Sequence, residues 1–158
     1  ILLKETFMMG SVQDIFISIQ GGASMTRVEQ TEALAGQGLR DDRYCNRIGY
    51  YSGTDECQVT IIGLEDLKDI EKSTGVAVSQ GQHRRNIVTR GVNLEELRGQ
   101  KFQVGEAVLE YDRPRPPCSY IQSITEPGMT RALVNRGGLC ARVVKSGVIR
   151  KDDTVVIL

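Results

Sequence analysis

The sequence predicts a mainly β fold, a closed or partly open β-barrel with a few short helices. Three observations predict it. Short runs of alternating apolar residues recur along the chain, and glycines punctuate them. Only one segment, after Gly63, carries a clear helical period. A chain of 158 residues with 40% hydrophobic residues is the size of one domain with one sizeable core.

Taken in order, residues 1–9 are apolar and read as an N-terminal extension packed on the barrel, or as a remnant of cloning. Residues 10–158 read as a single domain. Val12 to Gln20 places Ile15, Ile17 and Ile19 on one face, the period-two pattern of a half-buried strand. Gly21-Gly22 ends it. Met25 to Leu34 is a second strand candidate, and Gly38 to Tyr51 reads as a charged loop. Gln58 to Ile62 is a short strand. After Gly63, Leu64, Leu67 and Ile70 share a helix face, acidic residues occupy the first turn, and Gly75 stops the helix. Leu94 to Leu97 reads as a further helical turn.

Lys101 to Val104 and Ala107 to Tyr111 form a hairpin around Gly105-Glu106. Arg113 to Pro117 holds three prolines, which remove backbone donors and argue against a central strand. Met129 to Asn135 reads as a helix closed by Gly137-Gly138. Leu139 to Lys145 and Thr154 to Leu158 read as the last strands.

Composition narrows the function. No apolar run approaches the roughly 20 residues that span a bilayer, and no basic-then-apolar leader opens the chain. The expectation is therefore a cytoplasmic protein without a membrane partner. Lys and Arg total 20, as do Asp and Glu, yet residues 1–80 carry 7 basic and 12 acidic side chains and residues 81–158 carry 13 and 8. That asymmetry fits one anion-attracting face unless the halves intermix in space. Without a concentrated basic tract, no nucleic-acid partner is expected. Cys45, Cys57, Cys118 and Cys140 form no CxxC pair, so reduced thiols are expected rather than a disulfide framework or a zinc knuckle.

Cys118 follows Pro116-Pro117, with Arg113 and Arg115 just upstream. A thiol on a stiff loop beside guanidinium groups has its thiolate favoured, and a thiolate attacks sulfur, carries a persulfide or ligates a soft metal. By itself a lone cysteine in a turn is structural. His83 is the only histidine. It could pair with Cys118 as a hydrolase dyad, but no nucleophile-elbow or papain-like context surrounds that cysteine. Arg84, Arg85 and Asn86 suit anion recognition, Arg as a planar fork and Asn as an amide donor, against the commoner fate of a solvated cluster. Asp42-Arg43 suits an ion pair holding its loop.

These patches, in this order, resemble the MOSC domain, named for the C-terminal domain of molybdenum-cofactor sulfurase. Four stretches carry the resemblance: Gly36 to Tyr44, His83 to Gly91, Leu97 to Leu109, and Pro114 to Cys118, with Gly137 to Val144 as a further likeness. The resemblance implies a barrel of the MOSC or pyruvate-kinase-barrel type. It implies a role around the molybdenum cofactor, of the molybdopterin kind: binding the metal, carrying sulfur, or reducing N-hydroxylated compounds. Cys118 would be the persulfide carrier or molybdenum ligand. Arg85, Asn86, Arg115 and His83 would lie at the cofactor, and Arg43 would be structural. The alternative is a non-enzymatic sulfur carrier or small-anion module acting with a partner cysteine desulfurase or oxidoreductase; pyridoxal phosphate would belong to that partner. Asp41 and Asp152 stand where the family often has glycine. Asp tolerates the left-handed region better than most residues, so both turns are expected to form. An Asp41 lining the site would oppose an anionic ligand.

Overall fold

The computed structural model describes residues 8–47, 57–117 and 119–158. Its strands are β1 (Met8–Ile17), β2 (Thr26–Val28), β3 (Gln30–Leu34), β4 (Gly38–Leu39), β5 (Val59–Gly63), β6 (Ile87–Arg90), β7 (Lys101–Val104), β8 (Ala107–Pro114), β9 (Leu139–Lys145), β10 (Gly147–Arg150) and β11 (Thr154–Ile157). The helices are α1 (Leu64–Thr74), α2 (Ser119–Ser123) and α3 (Met129–Ala132), with a 3-10 turn at Leu94–Leu97.

Seven strands close a barrel in the order β11-β7-β8-β9-β5-β6-β1, because β1 also pairs with β11. That closure removes the unpaired edges an open sheet would leave. β2 attaches to β1, and β10-β3-β4 forms a separate small sheet. This sheet adds Ala33, Leu39 and Ile149 to the same apolar interior as Val12, Ile61, Ile87, Phe102 and Leu109.

One junction departs from antiparallel pairing. β5 and β6 are parallel, with Ile61 opposite Ile87. Parallel neighbours need a crossover, and α1 supplies it. Its buried face, Leu67 and Ile70, packs on Ile62 and Val88 in a second apolar cluster with Phe16, Met129 and Leu133. Successive residues of β1, β5 and β6 therefore serve two cores: Ile15, Ile61 and Ile87 in one, Phe16, Ile62 and Val88 in the other. Glu65 and Asp66 occupy the first turn of α1, and Gly75 closes it at φ 74°.

The differences from the sequence reading have physical causes. β1 buries both faces at Ile15 and Phe16, while Ile19 lies beyond the strand and is 67% exposed. Met25 to Leu34 divides into β2 and β3, which serve different sheets. β8 runs through Arg113 to Pro114, which pairs with Leu139 at the strand's end, where a missing donor costs little. Gly38-Leu39 is a short strand inside the expected loop. β10 and α2 were not anticipated.

The thiols differ too: Cys57 and Cys140 form a disulfide, with Cα atoms 6.0 Å apart. The neighbouring antiparallel strands β5 and β9 bring them together, a proximity that spacing along the chain does not reveal. Cys45 is free. Asp41 and Asp152 adopt the left-handed conformation, φ 67° and 73°, as expected of aspartates at glycine positions. Among the described residues no helix is long and apolar enough to cross a membrane.

Candidate functional site

Five chain segments meet at one side of the barrel around a cavity of about 530 Å³. Gly21 and Gly22 follow β1, Arg43 and Tyr44 follow β4, and Arg84 and Arg85 precede β6. Arg113 to Pro117 ends β8, and Tyr120 and Ile121 belong to α2. Among the described residues, five of the lining side chains are arginines and none is a carboxylate. A larger cavity of about 830 Å³ shares Pro114, Arg115 and Pro116 as a common wall, but it mixes Glu65, Asp66 and Glu95 with Arg98 and Arg136. Only the first concentrates one sign of charge.

The loop after β4 is fixed by a buried ion pair. Asp42 accepts from Arg43 Nη1 at 3.1 Å, from the Ser18 amide at 3.0 Å and from the Tyr44 amide at 3.2 Å. These bonds compensate the carboxylate for its burial. Arg43 also donates to the Arg84 carbonyl at 3.1 Å and lies over the Tyr44 ring, 4.2 Å from its centroid. The Tyr44 hydroxyl accepts from Arg43 Nη2 at 3.2 Å and from Arg115 Nη2 at 3.4 Å. Burial raises the Tyr44 phenol, but the charges of Arg43, Arg115 and Arg85 outweigh it and hold the phenol below its usual range.

The turn before β6 divides its residues between cavity and core. Arg84 has φ 61°, an unusual conformation for a long side chain. Its Nη1 donates to the Ala23 carbonyl, while Nη2 is buried without a hydrogen-bond partner among the described residues. Burial, then the nearby Arg43 charge, pulls the Arg84 guanidinium below its ordinary pKa. Arg85 Nε donates to the Gly137 carbonyl at 2.6 Å and its Nη2 to the Arg115 carbonyl at 3.3 Å. Gly137 admits no side chain here, since a Cβ would collide with the Arg115 carbonyl.

His83 and Asn86 lie behind this wall and are not among the residues lining the cavity. Asn86 Oδ1 accepts from the Thr60 amide and hydroxyl at 3.0 and 3.1 Å, and its Nδ2 donates to the Phe16 carbonyl at 3.1 Å. That amide ties β6 to β5 and β1. His83 is buried against Phe16, ring centroids 5.2 Å apart. Its Nδ1 accepts the Arg85 amide at 2.8 Å, which assigns its proton to Nε2. Burial, reinforced by Arg85, Arg27 and Arg84, pushes its pKa down to about 3. The ring is neutral and a very weak base.

Of the residues singled out from the sequence, the structure thus brings Arg85 and Arg115 together and sets His83 and Asn86 apart from the cavity. Asp41 is exposed and does not line it. Cys118 lies outside the described residues; Pro117 before it and Tyr120 shortly after it line the cavity. Tyr44 and Tyr120 carried no signal in sequence, because only the fold sets them beside arginines from other segments. Among the described residues no cluster of three or more His, Cys, Asp or Glu could hold a metal ion.

The family model for the MOSC domain matches residues 49–156. No curated protein matches the chain. Among solved structures, the YUAD protein from Bacillus subtilis is similar with a TM-score of 0.74 at 15% identity, covering 94% of each chain. YiiM from Geobacillus stearothermophilus is similar at 0.66 and 18% identity, covering 96% of this chain and 74% of that one. YiiM from Escherichia coli gives 0.64 at 17%, covering 92% and 70%. At such identities these likenesses speak for the fold.

Proposed function

Because the chain belongs to the MOSC domain family, we propose that its arginine-lined cavity holds a phosphate-bearing molybdenum–pterin cofactor and that Cys118 supplies the metal's protein ligand. One observation carries the reading: among the described residues five arginines and no carboxylate line the cavity, and one of the arginines, Arg84, keeps a buried donor with no partner there. A buried unpaired guanidinium donor is costly unless an anion completes it. The residues present therefore fit an anionic group. Arg84, Arg85 and Arg115 would hold its phosphate, and Pro116, Pro117 and Ile121 offer an apolar wall to a flat heterocycle.

When bound, the cofactor would supply two-electron, oxygen-transfer chemistry, such as the reduction of an N-hydroxylated compound. The chain's own part is to bind and orient. The Asp42–Arg43 pair stiffens one wall, and the Arg85 bonds to Gly137 and Arg115 fix the other. The neutral His83 orients the backbone between the two arginines through its bond to the Arg85 amide.

The test is metal and pterin content, by elemental analysis and pterin fluorescence, of protein purified from molybdenum-replete cells. Wild type and Cys45→Ser are expected to retain both, Cys118→Ser to lose the metal, and Arg84→Gln to retain less of both. Equal metal in wild type, Cys118→Ser and Cys45→Ser rejects the proposal. A Cys118 persulfide trapped by mass spectrometry on metal-free wild-type protein would replace it with the sulfur-carrier reading.

A further inference from the structure

We infer that Tyr44 is the proton donor of this cavity, delivering its phenolic hydrogen to an oxygen atom of the bound ligand. The first argument is an inventory. The described lining residues are arginines, glycines, prolines, one isoleucine and two tyrosines. Arginine does not release a proton in a protein, and the others apart from tyrosine have none to give. His83, the only histidine, is outside the lining and neutral. The described groups able to transfer a proton into this space are therefore Tyr44 and Tyr120.

The contacts of Tyr44 point to it. The Tyr44 oxygen receives guanidinium donors from two different segments, Arg43 Nη2 at 3.2 Å and Arg115 Nη2 at 3.4 Å. Two charge-assisted donors stabilise the phenolate that remains once the proton leaves. They also occupy the acceptor side of the oxygen, and no described residue accepts the Tyr44 hydrogen in return. Among the described residues the charges facing the ring are Arg43 and Asp42 from its own loop, Arg84 and Arg85 from the turn before β6, and Arg115 from the end of β8. Among the described residues the opposing charge is Asp42, and it is bonded to Arg43. The net field favours the anion, in line with the lowered ionisation of this phenol.

The step balances without a redox partner. The phenolic O–H bond breaks, its electron pair stays on the Tyr44 oxygen, and a new O–H bond forms on the ligand oxygen. The phenolate, held by the two guanidinium groups, then takes a proton back from solvent. The inference depends on this cavity being the ligand site, and not on the ligand being a metal cofactor.

The experiment uses metal-free protein and follows phenolate formation by ultraviolet difference titration, with and without inorganic sulfate. Sulfate keeps its charge over this range and accepts a hydrogen bond without taking the proton. Wild type is expected to show one tyrosine ionising below the ordinary range. Tyr44→Phe should lose it and Tyr120→Phe keep it. Sulfate should shift that ionisation upward, and sulfate affinity should fall as pH rises through it in wild type but not in Tyr44→Phe. Should Tyr44→Phe fail to fold, single phenylalanine replacements of the other four tyrosines assign the early phenolate by elimination. An early phenolate that belongs to another residue, or one that sulfate leaves unmoved, overturns the inference. Wild-type protein that carries neither metal nor pterin after purification from molybdenum-replete cells would sink the cofactor reading and leave this one standing.

Discussion

His83 shows how one buried side chain sets a pH response. Its folded pKa is pushed down to about 3 by burial, against 6.5 for the free side chain. Between those values the unfolded chain binds the extra proton and the folded chain does not. The stabilising difference is complete above the unfolded value and is lost as pH falls below it. Going from pH 7.5 to 5.5 is expected to cost about 1.4 kcal/mol, before most carboxylates titrate. Urea melts at the two pH values check this, and His83→Gln should remove most of the difference. Asp42 and Arg84 are the other residues whose meaning depends on burial. In sequence Asp42-Arg43 suits an ion pair, and the structure contains it. In sequence Arg84 is only one member of a general anion cluster. The donor of Arg84 that has no partner among the described residues arises from a left-handed backbone and from chain segments sixty residues away, as its bond to the Ala23 carbonyl shows.

At the scale of elements, the start of β6 is the joint that positions the site. Asn86 bonds at once to β5 through Thr60 and to β1 through the Phe16 carbonyl. Its side chain has no exposed surface. Replacing it with alanine strands the Thr60 amide and the Phe16 carbonyl in the interior, at about 1–3 kcal/mol for each orphaned group. Asn86→Ala is therefore expected to lower stability by about 2–6 kcal/mol in urea melts. It should weaken anion binding only through disorder of the adjacent Arg85. A surviving fold of unchanged stability would contradict the joint. The hairpin of β7 and β8 was legible because its turn is local, and so was α1, whose apolar face, acidic first turn and closing glycine lie within a dozen residues. β10 was missed because Gly147 and Lys151-Asp152-Asp153 read as punctuation; its strand character comes from pairing with β3, over a hundred residues earlier.

Across the whole molecule, closure depends on the two ends of the chain. Ser11 pairs with Thr154, and Gly10 with Val155, so β1 and β11 complete the ring. The Cys57–Cys140 disulfide adds a second long-range tie across 83 residues. In the chain-entropy picture a loop of that length contributes about 4.5 kcal/mol by restricting the unfolded chain. Under denaturing, non-reducing conditions two thiols are expected to react with a thiol reagent, rising to four after reduction. Reduction should also lower the melting temperature. Four reactive thiols before reduction would show that the pair is not bonded in the purified protein. Charge follows the same logic of scale. The acidic and basic halves do intermix at the site, since Arg43 from the acidic half joins Arg84, Arg85, Arg113 and Arg115 from the basic half. Arginines do gather at one cavity, but halves of the chain do not define it.

Local patterns alone determined the strand-rich class and the helix after Gly63, because each is written within a few residues of itself; the turns at Asp41 and Asp152 are legible only through the family resemblance. The order of motifs also carried the family resemblance, including the proline-bounded cysteine. Tertiary structure decided which arginines converge, that Asn86 and His83 face inward, and that Tyr44 receives two guanidinium groups. Those outcomes depend on distances between segments forty to seventy residues apart, set by strand pairing around a closed ring, and no local periodicity encodes such distances.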